Sequence, residues 1–191
     1  EPLLQRIVQR SQDVYGPSHP LTDRRQGQLG RILSRLERHD EAVGLLQQAH
    51  GRALELLGAE HSNRQYLLNE LATALQNAKR NDEAVPLFAD LAELRLRLYG
   101  EQHRGTRTAM NNYGLALNVA GRDDESLHWY QRAYEAEVAV LGESHPDTLI
   151  LASNVGRTLR TLGGLDEAEA MQHLVVDLAE KDLPAGAWQT A

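Results

Sequence analysis

Apolar side chains recur along this chain on two superposed periods. Leu29 and Leu33, Leu71 and Leu75, Tyr113 and Leu117, and Val155 and Leu159 are pairs four residues apart, and each pair follows the last by 42 residues. Residues four apart lie one above the other on an α-helix, so each pair forms a core-facing stripe. Beside the stripes run two columns of small residues: Gly30, Ala72, Gly114 and Gly156, and then Ala42, Ala84, Ser126 and Ala168. Small residues at fixed helical positions let two helix axes approach toward the short end of the ~8–10 Å range. Further apolar positions follow in each unit: Leu45 and Leu46, Leu87 and Phe88, Trp129 and Tyr130, with Ala49, Leu91, Ala133 and Val175 at the next turn. Each period therefore predicts two amphipathic helices, A and B, and the fixed period predicts a repeat architecture.

Polar punctuation separates the helices. Gly-x-x-His stands at Gly16–His19, Gly58–His61, Gly100–His103 and Gly142–His145, and Asp-Glu followed by a small residue recurs at Asp40, Asp82, Asp124 and Asp166. The glycine is expected to stop helix B in a left-handed conformation. Asn or Asp in the turn between A and B is expected to cap helix B, and the following Glu suits its positive N-terminal end. Helix A is predicted over 21–36, 63–79, 105–120 and 147–162, and helix B over 40–57, 82–99, 124–141 and 166–182. The opening Glu1-Pro2-Leu3-Leu4 aligns with Val85-Pro86-Leu87-Phe88, which places the start of the chain inside a helix B. The repeat domain then covers 1–183, as a half repeat 1–16 and full repeats 17–58, 59–100, 101–142 and 143–183. Pro184 falls in the glycine column and is expected to end the last helix, leaving 184–191, with Trp188, as a tail or linker. The half repeat reads as the mark of a piece of a longer protein, and its open apolar side could pair two copies.

Composition narrows the function classes. Apolar content of 41% and charged content of 25% in 191 residues fit a folded domain, and 5% aromatics with abundant Leu and Ala favours helix over a β-sandwich. A net charge of −7 argues against broad nucleic-acid or anionic-membrane binding. There is no Cys, which excludes disulfides and Cys-ligated zinc, and no apolar run approaches the ~18 residues of a membrane span. Together these fit a reducing cytoplasm.

These columns, with the run Asn111-Asn112-Tyr113-Gly114-Leu115-Ala116-Leu117 and the link Leu141-Gly142-Glu143-Ser144-His145-Pro146-Asp147, resemble the tetratricopeptide repeat (TPR) in its 42-residue, kinesin-light-chain-like variety. The departures are Leu91 at a small position, Gln172 at an aromatic or aliphatic one, and His103-Arg104 without Pro. The resemblance implies an all-α, right-handed α-solenoid of antiparallel helix pairs with helix A lining a concave groove. It also implies an adaptor that holds protein or peptide and is seldom an enzyme. Carried onto this chain, the groove positions give Arg24, Gln28, Arg31 and Arg35, then Tyr66, Asn69, Thr73 and Asn77, then Asn111, Asn112 and Asn118, then Asn154, Arg157 and Arg160. The groove thus holds five arginines and, at Glu70, one acid. Amides offer donor and acceptor to an extended backbone, and arginine suits carboxylates, so the expected ligand is an acidic or carboxylate-bearing segment.

Chemistry of other kinds finds little support. The linker histidines recur one helix pair apart, farther than zinc ligands at ~2.0–2.1 Å from a shared ion can be, so they are expected to hydrogen-bond open helix ends. There is no Gly-x-x-x-x-Gly-Lys loop, His-Glu-x-x-His or Gly-x-Ser-x-Gly. No metal, cofactor or catalytic residue is assigned. The expected function is a non-catalytic binding scaffold within a larger regulatory or signalling protein. The alternative is an intramolecular arm that restrains an attached nucleotide-binding or effector domain. Gly27, Gly44 and Gly51 each cost a helix roughly 1 kcal/mol against Ala, so the first full repeat is expected to be the least stable.

Overall fold

The computed structural model describes residues 2–17 and 19–181, all of them in helices and short connections. The expectations for Pro184 and Trp188 lie outside the described residues. In chain order the helices are α1 (Pro2–Tyr15), α2 (Pro20–Arg35), α3 (His39–Leu57), α4 (Ser62–Asn77), α5 (Asn81–Tyr99), α6 (Arg104–Val119), α7 (Asp123–Leu141), α8 (Pro146–Thr161) and α9 (Leu165–Lys181). The even-numbered helices are the A helices and the odd-numbered ones the B helices. Helices α2 to α9 each begin and end within two residues of their expected bounds, and α1 lies within the expected half repeat 1–16. The chain divides within α5 into two compact units, one through Leu94 and one from Arg95.

In the first unit, α2 packs on α1, α3 and α4, and α3 on α4. Leu29, Leu33, Leu71 and Leu75 are buried, as are Ala42, Val43, Leu46, Ala49 and Ala53 of α3. The small column works by contact. A Cβ built on Gly30 would lie 2.6 Å from the Cγ of Leu46, a separation real Cβ atoms do not tolerate. Leu91, one of the departures from the repeat pattern, is accommodated with no exposure at all. In the second unit α6 packs on α7, α7 on α8 and α8 on α9. Its core gathers Met110, Tyr130, Ala133, Ala136, Leu151, Val155, Leu159 and Ala168. Here Tyr130 fills the notch at Gly114, and the Ser126 hydroxyl donates to the Gly114 carbonyl at 2.8 Å.

The histidines start the A helices. Nδ1 of His19, His61, His103 and His145 accepts the backbone N–H two residues on, at 3.2, 3.1, 3.1 and 3.1 Å. Each occupies the N-cap with extended backbone, where Ser, Thr, Asp or Asn more often serve. Helix α6 begins at Arg104 without a proline because His103 alone supplies the cap. Tyr15 stacks on His19 and Tyr99 packs tilted against His103, at ring-centroid distances of 4.9 and 4.7 Å.

Two expectations about the turns are corrected. The left-handed stop lies at the end of helix A rather than helix B. Glu37, Lys79, Gly121 and Gly163 have φ of 61, 60, 74 and 87°. The N–H groups of Arg38, Arg80, Arg122 and Gly164 reach back to the carbonyls of Leu33, Leu75, Leu117 and Leu159, the six-to-one bond of a Schellman turn. The glycine after helix B has positive φ but extended ψ: Gly58 is at 81°, 170° and Gly142 at 84°, 166°. That region is essentially closed to any residue with a Cβ, which explains an invariant glycine within the repeat.

The second correction concerns helix B. Its N-cap residues Arg38 and Arg122 make no side-chain cap bond. Arg38, Arg80 and Arg122 instead grip Glu41, Glu83 and Glu125 through paired hydrogen bonds of 2.6–2.8 Å. The pairing draws the three carboxyls below their ordinary value. An arginine clamped to the first-turn acid thus stands where an Asn or Asp cap was expected.

Candidate functional site

All fourteen expected groove residues lie on A helices, and every one is exposed or half-buried. In the first unit, α2 carries Arg24, Gln28, Arg31 and Arg35 and α4 carries Tyr66, Asn69, Thr73 and Asn77. Arg24 sits over the Tyr66 ring, 5.9 Å from its centroid, within cation–π reach. Gln28 accepts from Arg25 at 3.0 Å, and Asn77 Nδ2 donates to Ser34 Oγ at 2.9 Å, tying α4 to α2. The Thr73 hydroxyl donates to the Asn69 carbonyl. Gly27 lets the Tyr66 ring lie close on α2, because a Cβ there would stand 2.6 Å from Tyr66 Cε1 and the ring would have to shift. Gly44 and Gly51 face open space.

Glu70 is the one acid on this face and is half-buried. Burial raises its carboxyl above the ordinary value, while Arg31, Asn69 and Arg35 pull it down. Burial likewise pushes the Tyr66 hydroxyl up, Glu70 adding to the rise and Arg31 and Arg24 opposing it. Arg24, Arg31 and Arg35 are exposed and make no ion pair among the described residues. Other arginines do find carboxylates inside their own repeat: Arg52 pairs with Asp23 at 3.1 Å, Arg64 with Asp90 at 2.6 Å, and Arg107 with Glu137, both buried. Burial nevertheless leaves Asp23 above its ordinary value, the Arg52 bond offsetting only part of the rise.

In the second unit, Asn154 Nδ2 donates to Asn111 Oδ1 at 3.1 Å, tying α8 to α6, and Asn154 Oδ1 accepts from Arg157 at 3.1 Å. Asn118 donates to Asp123 at 2.7 Å, and Arg160 to Gln172 Oε1 at 2.5 Å. Asn112 is half-buried and has a bonded or electrostatic partner of its own. Leu115, Val119 and Ile150 are exposed apolar side chains on the same A helices. Several amides read as free for a ligand backbone are therefore engaged in joining successive A helices. The sequence signal for that was present: Ser34–Asn77 and Asn111–Asn154 share one offset, a repeat plus one residue. What the sequence reading missed outright are the Arg-Glu clamps and the buried ion pairs.

The arrangement is a surface of hydrogen-bonding and cationic side chains on paired helices, with no convergent acid, base and nucleophile among the described residues. No helix among them is long and apolar enough to cross a membrane. Such a fold defines an all-α helical-repeat protein. The tetratricopeptide repeat model matches residues 1–56, 64–136 and 106–181, and the chain belongs to the tetratricopeptide repeat family. Among solved structures it is similar to the nearly identical TPR-like repeats assigned to a Podosopora anserina kinesin light chain, at 24% identity and TM-score 0.81, covering 87% of this chain and 79% of that one. BtubC (BKLC) from P. vanneervenii is similar at 21% identity and TM-score 0.83, over 96% of this chain and 74% of that one. MamA from Desulfovibrio magneticus RS-1 matches at 15% identity and TM-score 0.65, over 96% and 97%. No curated protein matches the chain. The family is generally a non-catalytic scaffold that binds other proteins or peptides.

Proposed function

We propose that the chain is an interaction scaffold that holds an acidic segment of a partner protein along α2. The observation that carries this is the row Arg24, Arg31 and Arg35. Spaced seven and four apart, they share one exposed stripe of the helix, and none is ion-paired among the described residues. In a chain of net charge −7 that places carboxylates against arginines elsewhere, a cationic stripe without an ion pair among the described residues is suited to carboxylates from outside. Glu70 offsets part of this charge, and Tyr66 holds Arg24 over its ring, which limits the entropy lost when a ligand orders that side chain. Arg157 and Arg160 offer a smaller anionic contact within the second unit.

The test is fluorescence anisotropy with labelled hexaglutamate and the whole chain. Replacing Arg31 and Arg35 together by Gln is expected to weaken binding by about tenfold or more, taking roughly 1 kcal/mol for each charged contact. It should also flatten the fall in affinity between low and physiological salt. Equal affinity and equal salt dependence in the double variant would sink the proposal.

A further inference from the structure

The last repeat departs from the others at the helix-B position that faces the small residue of helix A. In earlier repeats a bulky helix-B side chain plugs the notch at helix A's small residue. Leu46 and Tyr130 are fully buried against Gly30 and Gly114, and Phe88, at the same repeat position, is 2% exposed. Forty-two residues beyond Tyr130 stands Gln172. It is exposed, and its amide oxygen is held by Arg160. Gly156 keeps the notch, but a Cβ there would meet nothing closer than Met171 Cβ at 3.3 Å and Ala168 O at 3.5 Å. What remains is a pocket of about 290 Å³ with Ala152, Gly156, Ala168 and Val175 in its wall and Arg157 and Arg160 beside them.

The chemistry of this pocket is divided. Most of its wall is apolar, from Ala152, Ala168, Val175 and Val176, and its polar groups, Ser153 and Gln172 among them, are the minority, so it favours an occupant with an apolar body. Arg157 donates to Asn154 and acts on the Tyr130 hydroxyl, Arg160 donates to Gln172, and no carboxylate lines the pocket among the described residues. A volume near the lower end of ~300–1,000 Å³ suits one ring or short chain, and not an extended ligand. We propose that the pocket binds a small amphiphilic monocarboxylate. Its aromatic or branched aliphatic group sits over Gly156, where the other repeats place their own Leu, Phe or Tyr, and its carboxylate lies on Arg157 and Arg160. This site does not depend on the α2 stripe.

The probe is 3-phenylpropionate, titrated into the whole chain while the methyl signals of Val175 and Val176 are followed by NMR. An acid of this size is expected to bind with a Kd on the order of 1 mM. The uncharged 3-phenyl-1-propanol should bind at least about tenfold more weakly, having lost a charge-assisted contact. Gln172→Tyr restores the plug and should abolish the methyl shifts while raising Tm. Should that variant fail to fold, Arg157→Gln with Arg160→Gln on the exposed surface should bring the acid down to the affinity of the alcohol. Equal affinity for acid and alcohol, or shifts retained in Gln172→Tyr, overturns the proposal. Methyl shifts that follow protein dilution would assign the pocket to a second copy, and nuclear Overhauser contacts to residues 182–191 would assign it to the chain itself. Either result would also overturn it.

Discussion

The notch between Gly30 and Leu46 allows a quantitative test of how the helix pairs are held. A methyl at position 30 would lie 2.6, 2.8 and 3.0 Å from Cγ, Cδ1 and Cδ2 of Leu46. The Cγ cannot swing clear, so Gly30→Ala forces helix or side chain to move, at a cost of ~1–3 kcal/mol for overpacking. The better helix propensity of Ala returns roughly 1 kcal/mol, leaving a net loss of about 0–2. Leu46 has no exposure, so Leu46→Ala should cost about 2–5 kcal/mol in transfer energy and cavity. In the double variant the new methyl meets no Leu46 and fills part of the cavity. The two changes should therefore couple by about 1–3 kcal/mol, making the double variant no less stable than Leu46→Ala alone. The assay is urea unfolding of the four proteins by far-UV circular dichroism, with equal m-values required before the midpoints are compared. Gly156→Ala serves as an internal control. With Met171 Cβ at 3.3 Å as its nearest neighbour, it should cost less than Gly30→Ala. Additive effects of Gly30→Ala and Leu46→Ala would refute the interlocking account.

Three further outcomes follow from the same geometry. Gly44→Ala and Gly51→Ala face open space and should each raise stability by roughly 1 kcal/mol, whereas Gly58→Ala, at φ 81°, should lower it; thermal melts check the signs. His61→Ala should lose the α4 cap and about 0.5–2 kcal/mol, while His61→Asp keeps an acceptor; hydrogen exchange in the first turn of α4 separates the two, and equal protection would refute the cap. Glu70 has a raised pKa in the fold, so the folded state holds its proton more tightly than the unfolded state. Its charged form therefore opposes folding above the folded pKa, and the penalty fades as pH falls through the window down to the unfolded value. Glu70→Gln should accordingly raise Tm at pH 7 and lose that advantage on acidification. An advantage independent of pH would count against burial as the cause.

The helix pairs, their phase and the core columns could be read directly from the sequence, because helical periodicity and the repeat report on the same short-range constraint four times over. The histidine caps were legible for the same reason: a side chain just ahead of a helix reaches that helix's own first N–H groups wherever the helix later packs. The turns were harder. A glycine at a helix end says that φ is positive, but only the backbone shows that ψ is extended after helix B while Glu37 and Lys79 adopt the left-handed stop after helix A. Arg-x-x-Glu was visible as spacing, yet an Asn or Asp cap was the more familiar reading of the same turn.

What the sequence determined by itself is a tetratricopeptide repeat array and the face of each A helix that meets solvent. Tertiary structure alone decided which of those exposed residues remain available. Asn77, Asn154 and Asn118 find partners across a helix boundary or a turn, whereas Arg24, Arg31 and Arg35 make no ion pair among the described residues and feel Glu70 only at longer range. It also decided that Gln172 turns outward to Arg160 and leaves the notch at Gly156 open. The physical reason is range. Periodicity and capping act within one helix and its neighbouring turn, so they are written locally. The pairing of a long polar side chain depends on what another helix brings within about 3 Å of it, and only the packed chain fixes that distance.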